Sequence, residues 1–194
     1  MLVRRAVLTA LFTVLAVASA SAKVPDLRFS TFDPVLYGDP QGSRAYHMVV
    51  RDVANAPISG HVATLDLSGT SLRLYDVQEA GTTANCALRT LSRFTDAAGV
   101  ATFHVRFGGS CSASVLVTSE GVPLGSVPAR STDIDGVDGC VGLGDLGLFS
   151  RAFLDGSADH PELDFDGSGG RVGLGDLVLF GKDLLDGTKG SYCP

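Results

Sequence analysis

Val141-Gly-Leu-Gly-Asp-Leu-Gly-Leu-Phe149 and Val172-Gly-Leu-Gly-Asp-Leu-Val-Leu-Phe180 are the same nine residues but for one. They start 31 residues apart (172 − 141). Reading backwards from each exposes a longer repeat, DIDGVDGCVGLGD over Asp133–Asp145 and DFDGSGGRVGLGD over Asp164–Asp176. Forwards, Leu146, Phe149 and Phe153 recur at three- and four-residue steps, as do Leu177, Phe180 and Leu184, which predicts a short helix after each loop. Each helix is expected to stop at an Asp-Gly pair, Asp155-Gly156 and Asp186-Gly187.

Alternating carboxylates, a glycine, an apolar residue and a closing carboxylate suit a calcium loop. Ca²⁺ takes about six to eight hard oxygen ligands at roughly 2.3–2.6 Å, and glycine permits the sharp bend between them. The closing acid sits in the first helical turn, where negative charge is favoured. Val141 and Val172 are expected to pair in a short β-bridge between the loops. In the usual loop the closing acid stands at position twelve. Here it stands one place later in both copies, so each carries one extra residue between its second and third ligands.

The two copies are unequal. Loop one offers Asp133, Asp135, Asp138, Asp145 and the Cys140 carbonyl. Loop two offers Asp164, Asp166, Asp176, the Arg171 carbonyl, and Ser168 in the place taken by Asp138. With one carboxylate fewer, loop two is expected to bind more weakly, so the cofactor expected is one or two Ca²⁺ ions. The alternative is a metal-free pair of helices capped by aspartates.

Upstream the pattern changes from period 3.6 to period two. Tyr46, Met48 and Val50 share one strand face, as do Ala63, Leu65 and Leu67. Ala101, Phe103, Val105 and Phe107 form a third row, and Ala113, Val115 and Val117 a fourth. Such rows broken by Asn55-Ala56-Pro57, Ser68-Gly69 and Gly108-Gly109 predict packed antiparallel sheets. His47 and His104 fall on the polar side of their strands and His61 in phase with an apolar row; none has a nearby triad partner pattern. Without Trp, and with four Tyr, an aromatic platform for sugar stacking is poorly supplied.

VVRDVANAPISGHVATLDLSG (Val49–Gly69), FTDAAGVATFHVRFGG (Phe94–Gly109) and SVLVTSEGVPLGS (Ser114–Ser126) resemble bacterial Ig-like domains of the invasin type. The resemblance implies an Ig-like antiparallel β-sandwich and no particular activity. The repeated loop–helix tail, without a helix before each loop, resembles the dockerin domain. That implies a small α module with two EF-hand-type calcium loops, and a cohesin-like partner in an extracellular complex on polysaccharide substrates. Arg151 and Lys182, six residues after each closing Asp, match the basic position of the recognition helix. Leu143-Gly144 and Leu174-Gly175 replace the polar pair that dockerins often carry before the closing acid.

The remaining features place the protein. Arg4 and Arg5, the apolar run Ala6–Val17 and small residues to Ala22 read as a secretory signal peptide over 1–22. A β-sandwich is expected over 23–130 and the calcium module over 131–194. The formal net charge is −6. Residues 23–130 are balanced, nine basic against nine acidic, while 131–194 carry four basic and twelve acidic, or −8. An acidic tail repels nucleic acid and anionic membranes and attracts cations. Four cysteines in an exported chain read as two disulfides; proximity favours Cys86–Cys111 and Cys140–Cys193. The expected protein is therefore secreted, non-enzymatic and not integral to a membrane after cleavage, an adhesion or assembly module with a cohesin-like or cell-surface partner. The alternatives are a subunit of a surface layer or fibre, docking through its 23–43 segment as an added strand, and a small tethered hydrolase.

Overall fold

The computed structural model describes residues 23–110, 113–155, 160–169 and 171–194. The expected signal peptide over 1–22, Cys111 of the expected Cys86–Cys111 pair and the expected helix stop at Gly156 lie outside these residues. The chain is mainly β. Its strands are β1 (Thr31–Phe32), β2 (Leu36–Gly38), β3 (Ala45–Val49), β4 (Val62–Asp66), β5 (Arg73–Leu74) and β6 (Thr83–Asn85). They continue as β7 (Thr90–Phe94), β8 (Val100–His104), β9 (Phe107–Gly108), β10 (Ser114–Ser119) and β11 (Val122–Ser131). One sheet has the order β1-β3-β8, a second β2-β11-β10-β4-β7-β6, and β5 pairs with β9.

The period-two rows define what lies between the sheets. Tyr46 of β3 faces Phe103 of β8, and Met48 faces Ala101. In the larger sheet Leu91, Leu65 and Val117 stand side by side on β7, β4 and β10. All are at most 1 % exposed and belong to one core. Ala113 is exposed and precedes β10; the inward row there runs Val115, Val117, Ser119. The expected single strand through Phe107 divides. Its alternation persists, but it leaves β3 after His104 and joins β5 at Phe107. At the β10–β11 hairpin, Glu120 and Gly121 both have left-handed φ, 48° and 77°, the conformation a two-residue turn needs to match strand twist.

The 23–43 segment pairs within the molecule, supplying the edge strands β1 and β2. β1 pairs antiparallel with β3, and β2 runs parallel to β11 with Leu36 fully buried.

β11 runs directly into loop one. The helices follow as α1 (Leu143–Asp155) and α2 (Leu174–Asp186), each beginning three residues before the apolar pattern; Gly187 ends α2 at φ 64°. A 3-10 turn, Pro161–Leu163, precedes loop two. A second core gathers Ile134, Val141, Phe149, Ala152, Leu163, Phe165, Val172 and Phe180. The Phe149 and Phe180 rings stack at 4.7 Å with 4° between planes. The fully buried helix positions are Asp145, Phe149, Ala152 and Asp176, Phe180, Asp183; of the apolar stripes, Phe149 and Phe180 are buried, and Leu146, Phe153 and Leu184 pack partly buried against the same core. Each closing acid must face its loop and takes the buried position; the neighbouring Leu177 is consequently 38 % exposed. Asp183, buried on α2, accepts a 2.8 Å hydrogen bond from Thr132 Oγ1 at the end of β11.

The expected disulfide pairing is overturned. Cys86 is bonded to Cys193, leaving Cys140 unpaired among the described residues. Proximity in sequence misleads because the chain end returns to the β region after α2. Tyr192 bridges Tyr75, and the Cys193 N–H donates to the Leu74 carbonyl at 2.8 Å.

Candidate metal centre

Loop one begins where β11 ends. Asp133 is fully buried, and its Oδ1 accepts the Gly136 N–H at 3.0 Å. Asp135 Oδ1 accepts the Val137 N–H at 2.9 Å. The closing Asp145 binds both ends of the loop, accepting the Asp135 N–H at 2.9 Å and the Gly142 N–H at 2.8 Å. Loop two repeats this frame. Asp176 accepts from Asp166 N–H at 2.9 Å and Gly173 N–H at 2.8 Å, and Asp166 accepts from Ser168 N–H at 2.9 Å.

These bonds bring the acids together. Oxygens of Asp133, Asp135, Asp138 and Asp145 lie within 4.8 Å of one another, as do those of Asp164, Asp166 and Asp176. Both groups could hold a metal ion, and the donor set is all oxygen, the chemistry a hard cation requires. The expected inequality of four carboxylates against three stands in the geometry.

Two details differ from the expectations. Ser168 is level with Val137, not with Asp138; both donate N–H to the second acid of their loop. Gly169 occupies the place of Asp138, so Ser168 belongs to the inserted turn, which starts at left-handed Gly136 (φ 61°) and Gly167 (φ 69°). Val141 and Val172 form no β-bridge among the described residues; they meet as buried members of the second core. The glycine of each Leu-Gly pair stands where space is tight, while Leu143 and Leu174 are exposed at 84 % and 73 %. A Cβ at position 144 would lie 2.5 Å from Asp135 Oδ2, and one at 175 would strike Asp166 Oδ2. The second acid of each loop thus lies against the helix start, and a side chain there would have to displace its carboxylate.

Of the carbonyl candidates, Cys140 is partly buried and donates its N–H to Asp138 Oδ1 at 3.3 Å, while Arg171 is exposed. Arg151 and Lys182 are exposed on α1 and α2. His47 pairs with Asp33 at 3.0 Å and His104 with the Gly42 carbonyl at 3.0 Å, while His61 Nδ1 is buried without a hydrogen-bond partner among the described residues. The structure does not join them into one site.

Residues far away in sequence complete the centre. Tyr75 and Tyr192 both donate their hydroxyls to Asp133 Oδ2, the former at 2.7 Å. Arg73 donates to the Gly136 carbonyl at 2.7 Å and lies over the Tyr192 ring at 4.2 Å. Arg130 pairs with Asp164. No local pattern marks these residues; Tyr75 stands 58 positions before Asp133.

Burial raises the pKa of Asp133 and Asp145, the latter to about 6 from 3.8. For Asp145, withdrawal from water outweighs the two N–H donors that favour its charge. An acid whose pKa folding raises binds more protons folded than unfolded between those two values. Stability without metal must therefore fall as pH rises through that window. Thermal melts in EDTA should give a higher midpoint near about pH 5 than near about pH 7.5, with calcium restoring the loss at the higher pH. A midpoint in EDTA that rises with pH across the window would contradict this.

Comparison with family models, with curated proteins and with solved structures finds no match for this chain. Among the described residues, no helix is long and apolar enough to cross a membrane.

Proposed function

We propose that this is a secreted, non-enzymatic calcium-binding protein, in which an Ig-like β-sandwich carries a dockerin-like pair of EF-hand-type loops. The tail serves assembly with a cohesin-like or cell-surface protein in an extracellular complex. The observation that carries the reading is the convergence of four carboxylates from Asp133, Asp135, Asp138 and Asp145. Two of them are buried at 0 % and 1 % exposure. Like charges packed this way repel unless protons or a cation compensate them. Calcium is the favoured ion because its coordination number is adaptable, whereas magnesium demands a near-ideal octahedron. The Cys86–Cys193 bond fits an oxidising compartment. Exposed Arg151 and Lys182, together with Leu154 and Leu185 at 82 % and 88 % exposure, suit a partner-binding helix face.

Calorimetric titration with calcium tests the reading. Wild type should bind calcium, Asp145→Ala should lose loop-one binding, and Asp138→Ala should weaken it by about tenfold or more. Calcium should also raise the melting midpoint, and an unchanged melt after EDTA treatment would refute the calcium role. Pull-down from an extracellular fraction, with and without EDTA, tests the assembly role; recovery of no calcium-dependent partner would count against it.

A further inference from the structure

We propose that loop two carries its own cation, the Arg130 guanidinium, and that loop one alone takes an exchangeable divalent ion. The inference rests on the calcium reading and divides the two loops between two kinds of cation.

Arg130 lies near the end of β11, opposite Tyr37 of β2 in the parallel pairing. Its Nη1 stands 3.1 Å from Asp164 Oδ2 and also donates to the Asp164 backbone carbonyl. The arginine side chain is 11 % exposed and the aspartate 4 %. A guanidinium keeps its charge at every pH the fold survives, so this partner is a permanent positive charge. It is held at the first acid of the loop and shielded from water.

Loop one is built differently at the equivalent acid. Asp133 receives two neutral phenol hydroxyls, from Tyr75 and Tyr192. They orient the carboxylate without neutralising it. Arg73, the nearby guanidinium, binds the Gly136 carbonyl and the Tyr192 ring, and the described ion pairs include none with the four acids. The charge facing an ion is thus −4 at loop one and −3 + 1 = −2 at loop two. A divalent ion entering loop two would also meet a like charge bound to one of its ligands, in a poorly screened setting. One strand end therefore sets both outcomes, feeding Asp133 into loop one and Arg130 into loop two.

Calcium titration of the full chain by calorimetry separates the possibilities. Up to about 1 mM calcium, the affinity range of weak extracellular sites, wild type should bind one ion and Arg130→Met two. The second site should tighten by roughly tenfold or more, and adding Asp176→Asn to Arg130→Met should return the count to one. Asp145→Asn in the wild-type background should bind none, a check that does not depend on how well Arg130→Met folds. Two ions in wild type, one ion in Arg130→Met, or one ion retained by Asp145→Asn would each overturn the assignment to Arg130 while leaving calcium binding intact. No ion in either wild type or Arg130→Met would overturn the calcium reading and this inference together.

Discussion

Replacing Cys86 and Cys193 by serine is expected to lower the stability of the chain by about 4–5 kcal/mol, the chain-entropy value for closing a loop of about 100 residues. The two cysteines are 107 positions apart, so the bond restricts most of the unfolded chain. It also fastens the end of the chain beside loop one. Cys193 follows Tyr192, whose hydroxyl reaches Asp133, and the Gly190 N–H donates to the Gly139 carbonyl of loop one at 2.9 Å. Loss of the bond should therefore weaken calcium binding at loop one as well as stability. Urea denaturation of the double variant measures the first effect, and calcium titration under native conditions the second. A stability change below about 1 kcal/mol, the size of an ordinary substitution, would contradict the expectation.

Phe149→Ala should cost about 3–5 kcal/mol, the usual range for deleting a buried phenyl ring. Phe149 is 1 % exposed and stacks on Phe180, with Phe165 and Phe153 at 6.0 and 6.1 Å. Among the described residues the second core has eight buried members, so one ring is a large part of what joins the helices to the loops. In EDTA the variant should lose helical circular dichroism while keeping its β signal, and calcium should recover part of the helix. Leu154→Ala is the matched control. At 82 % exposure, Leu154 should matter by no more than about 0.5 kcal/mol. Equal losses from the two substitutions would show that the ring does not organise the tail.

Much of the fold and of the centre was legible locally. The nine-residue repeat pointed back to the acids, and the structure brings those of each copy together. The alternation through Tyr46, Met48 and Val50 marked a buried strand face, and all three are at most 1 % exposed. Such patterns are readable because a strand or a helix repeats its geometry every two or 3.6 residues, and one buried face then dictates residue type. Reading failed where position depended on another element. On α1 and α2 the closing acids take the buried positions beside Leu146 and Leu177, so these two leucines are less buried than the apolar stripes imply. The match of Ser168 to Asp138 is an error of register, not of packing: the 31-residue spacing of the repeat already sets Ser168 level with Val137, as the hydrogen bonds do.

The sequence by itself determined the two acidic loops, their unequal carboxylate number and the β character of the region before them. Those are short-range properties, written within a dozen or so residues. Only the tertiary structure decided what each loop's first acid touches. Asp133 meets Tyr75 and Tyr192, Asp164 meets Arg130, and Cys86 meets Cys193. The physical reason is that local sequence sets the period and the apolar face of an element, but a side chain's partner is whichever distant group the packed sheets carry to that point.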